Sequence, residues 1–392
     1  MKILHINTND KGGAATACIR IHLELLQRGI DSKILFLHRT KTHIPETYAF
    51  KHNKPLLLRL WSKLKQLATP KSAAVREKFP EIEWFSDPTS PYDITQHPLY
   101  KEADIIQLNW VSGFLDEPSF FKSNLKPIVW RMPDLYACGG GYHYKQGFPF
   151  DKLQSRLDRN VRIRSRALRG QKITFVPISK WVQQNLNESP IIKEFSNVVI
   201  RNGLDFSVFK PTPKQEARSI WKLPSDKKIV LLGADINYSP RKGFHLAVAA
   251  LDALKDENVL PVVFGKFEES LPDHFMQIGY ISDENLLAKL YSASDYFLMT
   301  SIEEAFGQVT IEALSCGVPV VSFPNGGSLD IINENMNGVL ASNFTPEALC
   351  KALKIALDLD FNSEAIVEDV RARFNIQDKI ESYIRLYKTL DY

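Results

Sequence analysis

The stretch Ser301–Ile332, SIEEAFGQVTIEALSCGVPVVSFPNGGSLDII, decides how the rest of the chain is read. It follows an apolar strand, DYFLMT, and contains a short loop, a helix QVTIEALSC stopped by Gly317 and Pro319, and a second apolar strand, VPVVSF. Strand, loop, helix and strand in that order form one unit of an open α/β sheet, whose ligands sit where strands run out into loops. At that edge stand Glu304 and, about one turn into the helix, Glu312. The free amides of Gly307, Gln308 and Val309 carry the partial positive charge of the helix start and suit a phosphate. Carboxylates accept paired hydroxyl donors, so the two acids suit sugar and ribose diols. Ordinary helix-start charges would look similar. The coincidence of spacing, glycine turn and sheet edge favours a ligand, with Glu303 turned to solvent.

The same grammar runs in both directions. KILHIN, SKILFLH, DIIQLNW, PIVWRM and TFVPIS read as buried strands of a first half; KIVLLGA, LPVVFGK and MQIGYI join the two strands above in a second. AATACIRIHLELLQRG is the first crossover helix, with Ala14, Cys18, Ile21 and Leu25 facing inward and Gly29 ending it. Asn202-Gly203, Pro211 and Pro213 mark the connection between halves. The expected architecture is α/β: two doubly wound, Rossmann-like domains facing a cleft. We expect an N-terminal domain over residues 1–200, a linker at 201–213, a second domain over 214–375, and a final helix at 376–392 packing on one of them. Ile380, Tyr383, Ile384 and Tyr387 have the spacing for its buried face.

A chain of 392 residues suits two domains, and 44% hydrophobic with 24% charged residues is a globular composition. A net charge of +4 (49 basic against 45 acidic residues) gives no case for nucleic acid. Four scattered cysteines lack metal or disulfide spacing, and MKILHINTND has no signal-peptide order. No apolar run is long enough for a membrane span. The expectation is a cytoplasmic protein.

Two more loops fall on ligand edges. After the first strand, Gly12 and Gly13 open a helix with free amides; a tight turn explains a bare glycine pair equally well. Neither GxGxxG nor the Walker GxxxxGK[ST] pattern occurs. After KIVLLGA, Arg241 and Lys242 precede a helix near Phe244 and suit a diphosphate, the arginine as a fork and the lysine as a point charge. A solvated basic turn is the alternative.

With these residues together, the chain resembles the retaining family 4 glycosyltransferases of the GT-B fold. The likeness rests on Glu304-(seven residues)-Glu312 with ALSCGVPVVSFPNGG, on Arg241–Gly243, on IRNGLDFSVFKP and on Gly12-Gly13. DIIQLNWVSGFL and PIVWRMPDLYACGGGYHY look like the colanic-acid and exopolysaccharide branch. The resemblance implies a nucleoside-diphosphate sugar bound mostly by the second domain, an acceptor on the first, retention of configuration, and no metal or other cofactor. It implies Glu304 on the donor sugar's hydroxyls, Glu312 on the ribose, and Arg241 and Lys242 on the departing diphosphate. Phe306, Gly307, Gln308, Val309, Gly12 and Gly13 would complete the donor site, with Tyr280 and Ile281 lining the base pocket. The 202–211 linker would hinge. Two departures stand out: Pro133 occupies the place of a usual histidine before Asp134, and Ala234 that of a usual arginine. His143 and Arg241 are the candidate substitutes.

For the acceptor, Asp134, Tyr136, Gly140, Tyr142 and His143 are the candidates: three glycines let backbone approach a ligand, and tyrosines stack on sugar rings. Residues 51–78 hold eight Lys/Arg against Glu77, with Leu57, Leu60, Trp61, Leu64 and Leu67 on one helical face. Such a segment suits peripheral contact with an anionic inner membrane face, where polyprenyl-linked acceptors reside, or plain packing on the domain. The rival readings are an epimerase or phosphorylase on the same plan, and a sugar-nucleotide-binding protein without chemistry.

Overall fold

The computed structural model describes residues 1–51, 72–80, 82–233, 239–266 and 271–392. Most of the basic stretch 51–78, including its leucine and tryptophan face, lies outside the described residues, as does Ala234. The chain divides into two compact units, Met1–Arg201 with Gln377–Tyr392, and Asn202–Ile376.

Among the described residues the first unit holds a parallel sheet in the order β3-β2-β1-β4-β5-β6-β7. These strands are β1 (Lys2–Asn9), β2 (Asp31–His38), β3 (Thr47–Ala49), β4 (Ile105–Leu108), β5 (Ile128–Met132), β6 (Ile173–Pro177) and β7 (Ser196–Asn197). The second unit orders its strands β10-β9-β8-β11-β12-β13. They are β8 (Lys228–Gly233), β9 (Val259–Phe264), β10 (Met276–Gly279), β11 (Tyr296–Met299), β12 (Val320–Ser322) and β13 (Gly338–Leu340). All pairings are parallel, and strands covered on both faces read as continuous apolar runs. Ile229–Leu232 and Val320–Val321 are almost wholly buried.

Both sheets reverse their winding once, between β1 and β4 and between β8 and β11. That is where a doubly wound sheet opens a crevice at its carboxyl edge. Gly12 and Trp110 follow β1 and β4; the Ser239–Gly243 turn and the Thr300–Gly307 loop follow β8 and β11.

The final helix, Ile376–Lys388, belongs with the first unit from Gln377 onward. Ile380, Tyr383, Ile384 and Tyr387 are buried as their spacing implies. The Tyr387 hydroxyl donates to Gln107 Oε1 on β4, and Gln377 Nε2 donates to Glu24 Oε2 at 2.7 Å. Arg28 pairs with Glu381. No helix among the described residues is long and apolar enough to cross a membrane.

Candidate functional site

In the second unit, the turn after β8 and the loop after β11 are stapled together. The Ile302 amide donates to Arg241 O at 2.7 Å, and Thr300 Oγ1 donates to Lys242 O at 2.7 Å. Gly243 makes this approach feasible: its φ is +61°, and a Cβ there would meet Thr300 O at 2.1 Å. The side chains then converge. Lys242 Nζ donates to Glu304 Oε2 at 2.7 Å, Ser301 Oγ lies 3.4 Å from the same oxygen, and Arg241 Nη1 is 3.7 Å away. Arg241 also donates to the Glu303 carbonyl. Glu304 is 13% exposed, so this is a half-sheltered ion cluster rather than a surface pair. Burial alone would raise the Glu304 carboxyl pKa; the charges of Lys242 and Arg241, with hydrogen bonds from Lys242 and Ser301, outweigh it and bring it down to about 2. At neutral pH Glu304 is an acceptor only.

The helix Gln308–Ser315 starts at Gly307, which has φ +88° and supplies no side-chain cap. Its first amides are therefore left for a ligand or for water. Beside them, both polar atoms of the Gln308 amide and the Thr310 hydroxyl are buried without a hydrogen-bond partner. A Cβ on Gly307 would lie 3.2 Å from Thr310 Oγ1, which places that hydroxyl against the helix start. Glu312 is buried one turn on; the Tyr291 hydroxyl lies 3.4 Å from its Oε2, and burial with the Glu312 charge pushes the Tyr291 phenol well up. Phe306 is buried edge-to-face with Phe374. The backbone behind is tight: a Cβ on Gly327 would meet Phe306 O at 2.1 Å. Tyr280, 67% exposed, follows β10 with Ile281, and Lys266 Nζ sits 5.3 Å from the Tyr280 ring centroid.

In the first unit, Gly12 (φ +87°) and Gly13 open the helix Gly13–Gln27 with no side-chain cap and open space around both. Asp134 follows β5 at a small pocket of about 10 Å³ lined also by Asn109, Trp110, Met132, Pro133 and Tyr136. Its Oδ2 accepts from Trp110 Nε1 at 3.0 Å and from His143 Nδ1 at 2.6 Å, and its Oδ1 accepts from the Tyr136 amide at 2.9 Å. His143 Nε2 lies 2.9 Å from Ser86 Oγ.

The other acceptor candidates serve packing. Tyr136 is buried, donates to Glu117 Oε1 at 2.8 Å, and lies under the Arg164 guanidinium. The glycine run admits protein rather than ligand: added Cβ atoms would meet the Tyr142 ring from Gly139, Leu157 O from Gly140 and Ser86 O from Gly141, at 2.4, 2.5 and 2.5 Å. Tyr142 packs on Phe148 and Phe150. The sequence also hid the partner of Tyr136: Glu117 and Arg164, 47 residues apart, form a buried bidentate pair at 2.7 and 2.8 Å.

Comparison with known proteins bears on both units. Residues 213–373 match the family model described as "Glycosyl transferases group 1". A glycogen synthase of Mycoplasma mobile is 29% identical over 225 residues, covering 47% of each chain. A D-inositol 3-phosphate glycosyltransferase of Mycolicibacterium smegmatis is 31% identical over 36% of this chain and 35% of its own. The chain thus spans about half the length, or less, of these curated relatives. Among solved structures, Anabaena Alr3699/HepE in complex with UDP matches all of both chains at 20% identity and a TM-score of 0.72. Sucrose-phosphate synthase from Thermosynechococcus elongatus matches 99% of this chain and 98% of its own at 17% identity and a TM-score of 0.69. The chain therefore shares the GT-B fold of these solved structures, and its residues 213–373 are similar to the glycosyl transferases group 1 family.

Proposed function

We propose that the chain is a retaining glycosyltransferase that moves a hexose-type sugar from a nucleoside-diphosphate sugar to a glycan or lipid-linked glycan acceptor, in polysaccharide biosynthesis and without a metal. The Arg241–Lys242–Glu304 cluster at the switch point of the second sheet carries this reading. Two cations and one carboxylate leave the cluster at +1, a charge suited to a diphosphate that gains negative charge as it departs. Glu304, ionised well below neutral pH, accepts from donor-sugar hydroxyls. Glu312 takes the ribose diol, the amides of Gly307, Gln308 and Val309 take phosphate oxygens, and Tyr280 and Ile281 flank the base.

The new bond joins an acceptor oxygen to the anomeric carbon while the bond from that carbon to the diphosphate oxygen breaks. The acceptor proton passes to the departing phosphate on the same face. Gly12 and Gly13 contribute to donor binding through their uncapped helix start, and Asp134 with its pocket serves the acceptor. UDP and UDP-glucose complexes of Alr3699/HepE support a nucleotide-sugar donor here. A cytoplasmic enzyme meeting lipid-linked acceptors at the inner membrane face fits the basic composition of residues 51–78.

The test is a panel of UDP-, GDP- and ADP-sugars, read first as thermal stabilisation and then as acceptor-dependent release of nucleoside diphosphate. One donor should raise the melting temperature in wild type. A panel in which none does so sinks the reading. Stabilisation without acceptor-dependent release leaves a binding protein, and interconversion of the sugar nucleotide without acceptor leaves an epimerase.

A further inference from the structure

The helix Phe150–Leu168 of the first unit carries a charge pattern that the donor chemistry does not use. At about 100° per residue, Lys152, Arg159, Arg162 and Arg166 fall in one sector roughly 80° wide. Leu153, Leu157, Asn160, Arg164 and Leu168, the buried residues, centre on the opposite side. The cationic sector therefore points straight away from the core, and all four residues are exposed. From Lys152 to Arg166 the row is about 21 Å long at 1.5 Å per residue.

No hydrogen bond or ion pair to a described residue holds Arg159, Arg162 or Arg166. Arginines three and four apart on one helix face repel one another, and exposed Asp158, four residues before Arg162, accepts from Gln154 Nε2 at 2.8 Å. Each end is extended by another element. Lys78, from the helix Ser72–Lys78, places its Nζ 5.6 Å from the Phe79 ring centroid, and Lys152 Nζ lies 5.7 Å from the same centroid. Exposed Arg169 and Lys172 continue it past Leu168.

We propose that this row is the docking surface of the first unit on an anionic lipid bilayer. A straight, one-sided line of long cations matches a plane of phosphate headgroups, and unpaired arginines can each reach lipid without breaking an internal contact. A bilayer, unlike a folded partner, requires no matching pocket. The inference stands apart from the glycosyl-transfer reading because it is tested without any nucleotide sugar, so either can fail alone.

The experiment is co-sedimentation of the full chain with phosphatidylcholine vesicles with and without about 30% phosphatidylglycerol, at low and at physiological salt. Binding should need phosphatidylglycerol and should weaken as salt is added. The triple variant R159E/R162E/R166E should lose at least about a hundredfold in partitioning, at about fivefold per cation removed. Its melting temperature should be unchanged, because the altered side chains are exposed. Equal binding by wild type and variant overturns the proposal. So does wild type that ignores phosphatidylglycerol vesicles but is retained by heparin or DNA. Loss of binding only when Lys54, Arg59, Lys63 and Lys65 are changed to glutamate, with the triple variant unaffected, overturns it as well.

Discussion

The two units meet the same problem, charged groups sheltered from water, in opposite ways. Around Tyr136 in the first unit every acid has its partners in the protein. Glu117 takes two bonds from Arg164 and one from Tyr136, Asp87 takes Arg156 and Asn160, and Asp134 takes Trp110, His143 and a backbone amide. Around Glu304 in the second unit the cluster keeps a net positive charge and remains partly open to solvent. The neighbouring Gln308 amide and Thr310 hydroxyl have no partner. A closed network is architecture; a cluster with spare charge and unmet hydrogen bonds is arranged for something that arrives. That contrast turns into experiments, because the first kind of site should fail in stability and the second in turnover.

The largest effect should come from opening the closed network. Arg164→Ala leaves Glu117 charged and buried, which costs about 3–5 kcal/mol when one partner of a buried pair is removed. Denaturant unfolding should show that loss. A variant that remains as stable as wild type would break the comparison at its stronger end. Glu304→Ala and Lys242→Ala should behave in the reverse sense. We expect a fall in turnover of about a hundred- to a thousandfold, the size seen when one aligned electrostatic group is removed, with a smaller loss of stability than Arg164→Ala shows. Full activity in both would remove the cluster from the mechanism.

A pH series sharpens the same point. The Glu304 carboxyl sits at about 2 in the folded chain against an ordinary 4.5. Its ionisation therefore contributes stability that is fully present above about pH 4.5 and is lost as pH falls towards about 2. Across that window the stability advantage of wild type over Glu304→Gln should shrink by on the order of 2 kcal/mol. An advantage that stays constant with pH would mean that Lys242 and Arg241 do not act on that carboxylate.

The strands that carry these sites were legible because parallel strands buried on both faces spell apolar runs, as in KIVLLG and VPVVSF. β3, β7 and β13 were not: two or three residues at or near a sheet edge, such as Ser196–Asn197, leave no pattern to read. The Glu304 loop was legible because a glycine turn, a helix start and two acids lie within a dozen residues. The closed network was not. Glu117 and Arg164 are far apart in sequence, and each alone looks like a helix-surface charge. The run Gly139–Gly141 was misleading for a related reason. Glycine announces that something comes close, but only the fold shows that it is Leu157, Ser86 and Tyr142.

The smallest effect should be the most discriminating, because it has two signs in one variant. Gln308 buries an amide with no partner, and a group left so costs about 1–3 kcal/mol relative to a well-packed apolar replacement. Gln308→Leu keeps roughly the same volume, so the unliganded protein should unfold about 1 kcal/mol later. If the amide is waiting for a nucleotide sugar, the same change should weaken donor binding by about tenfold, or about 1.4 kcal/mol. Melting curves with and without donor read both quantities from one sample. A gain in stability with unchanged donor affinity would make Gln308 a plain packing defect, and a loss of stability would mean that its amide is held within its own unit, as the acids around Tyr136 are in theirs.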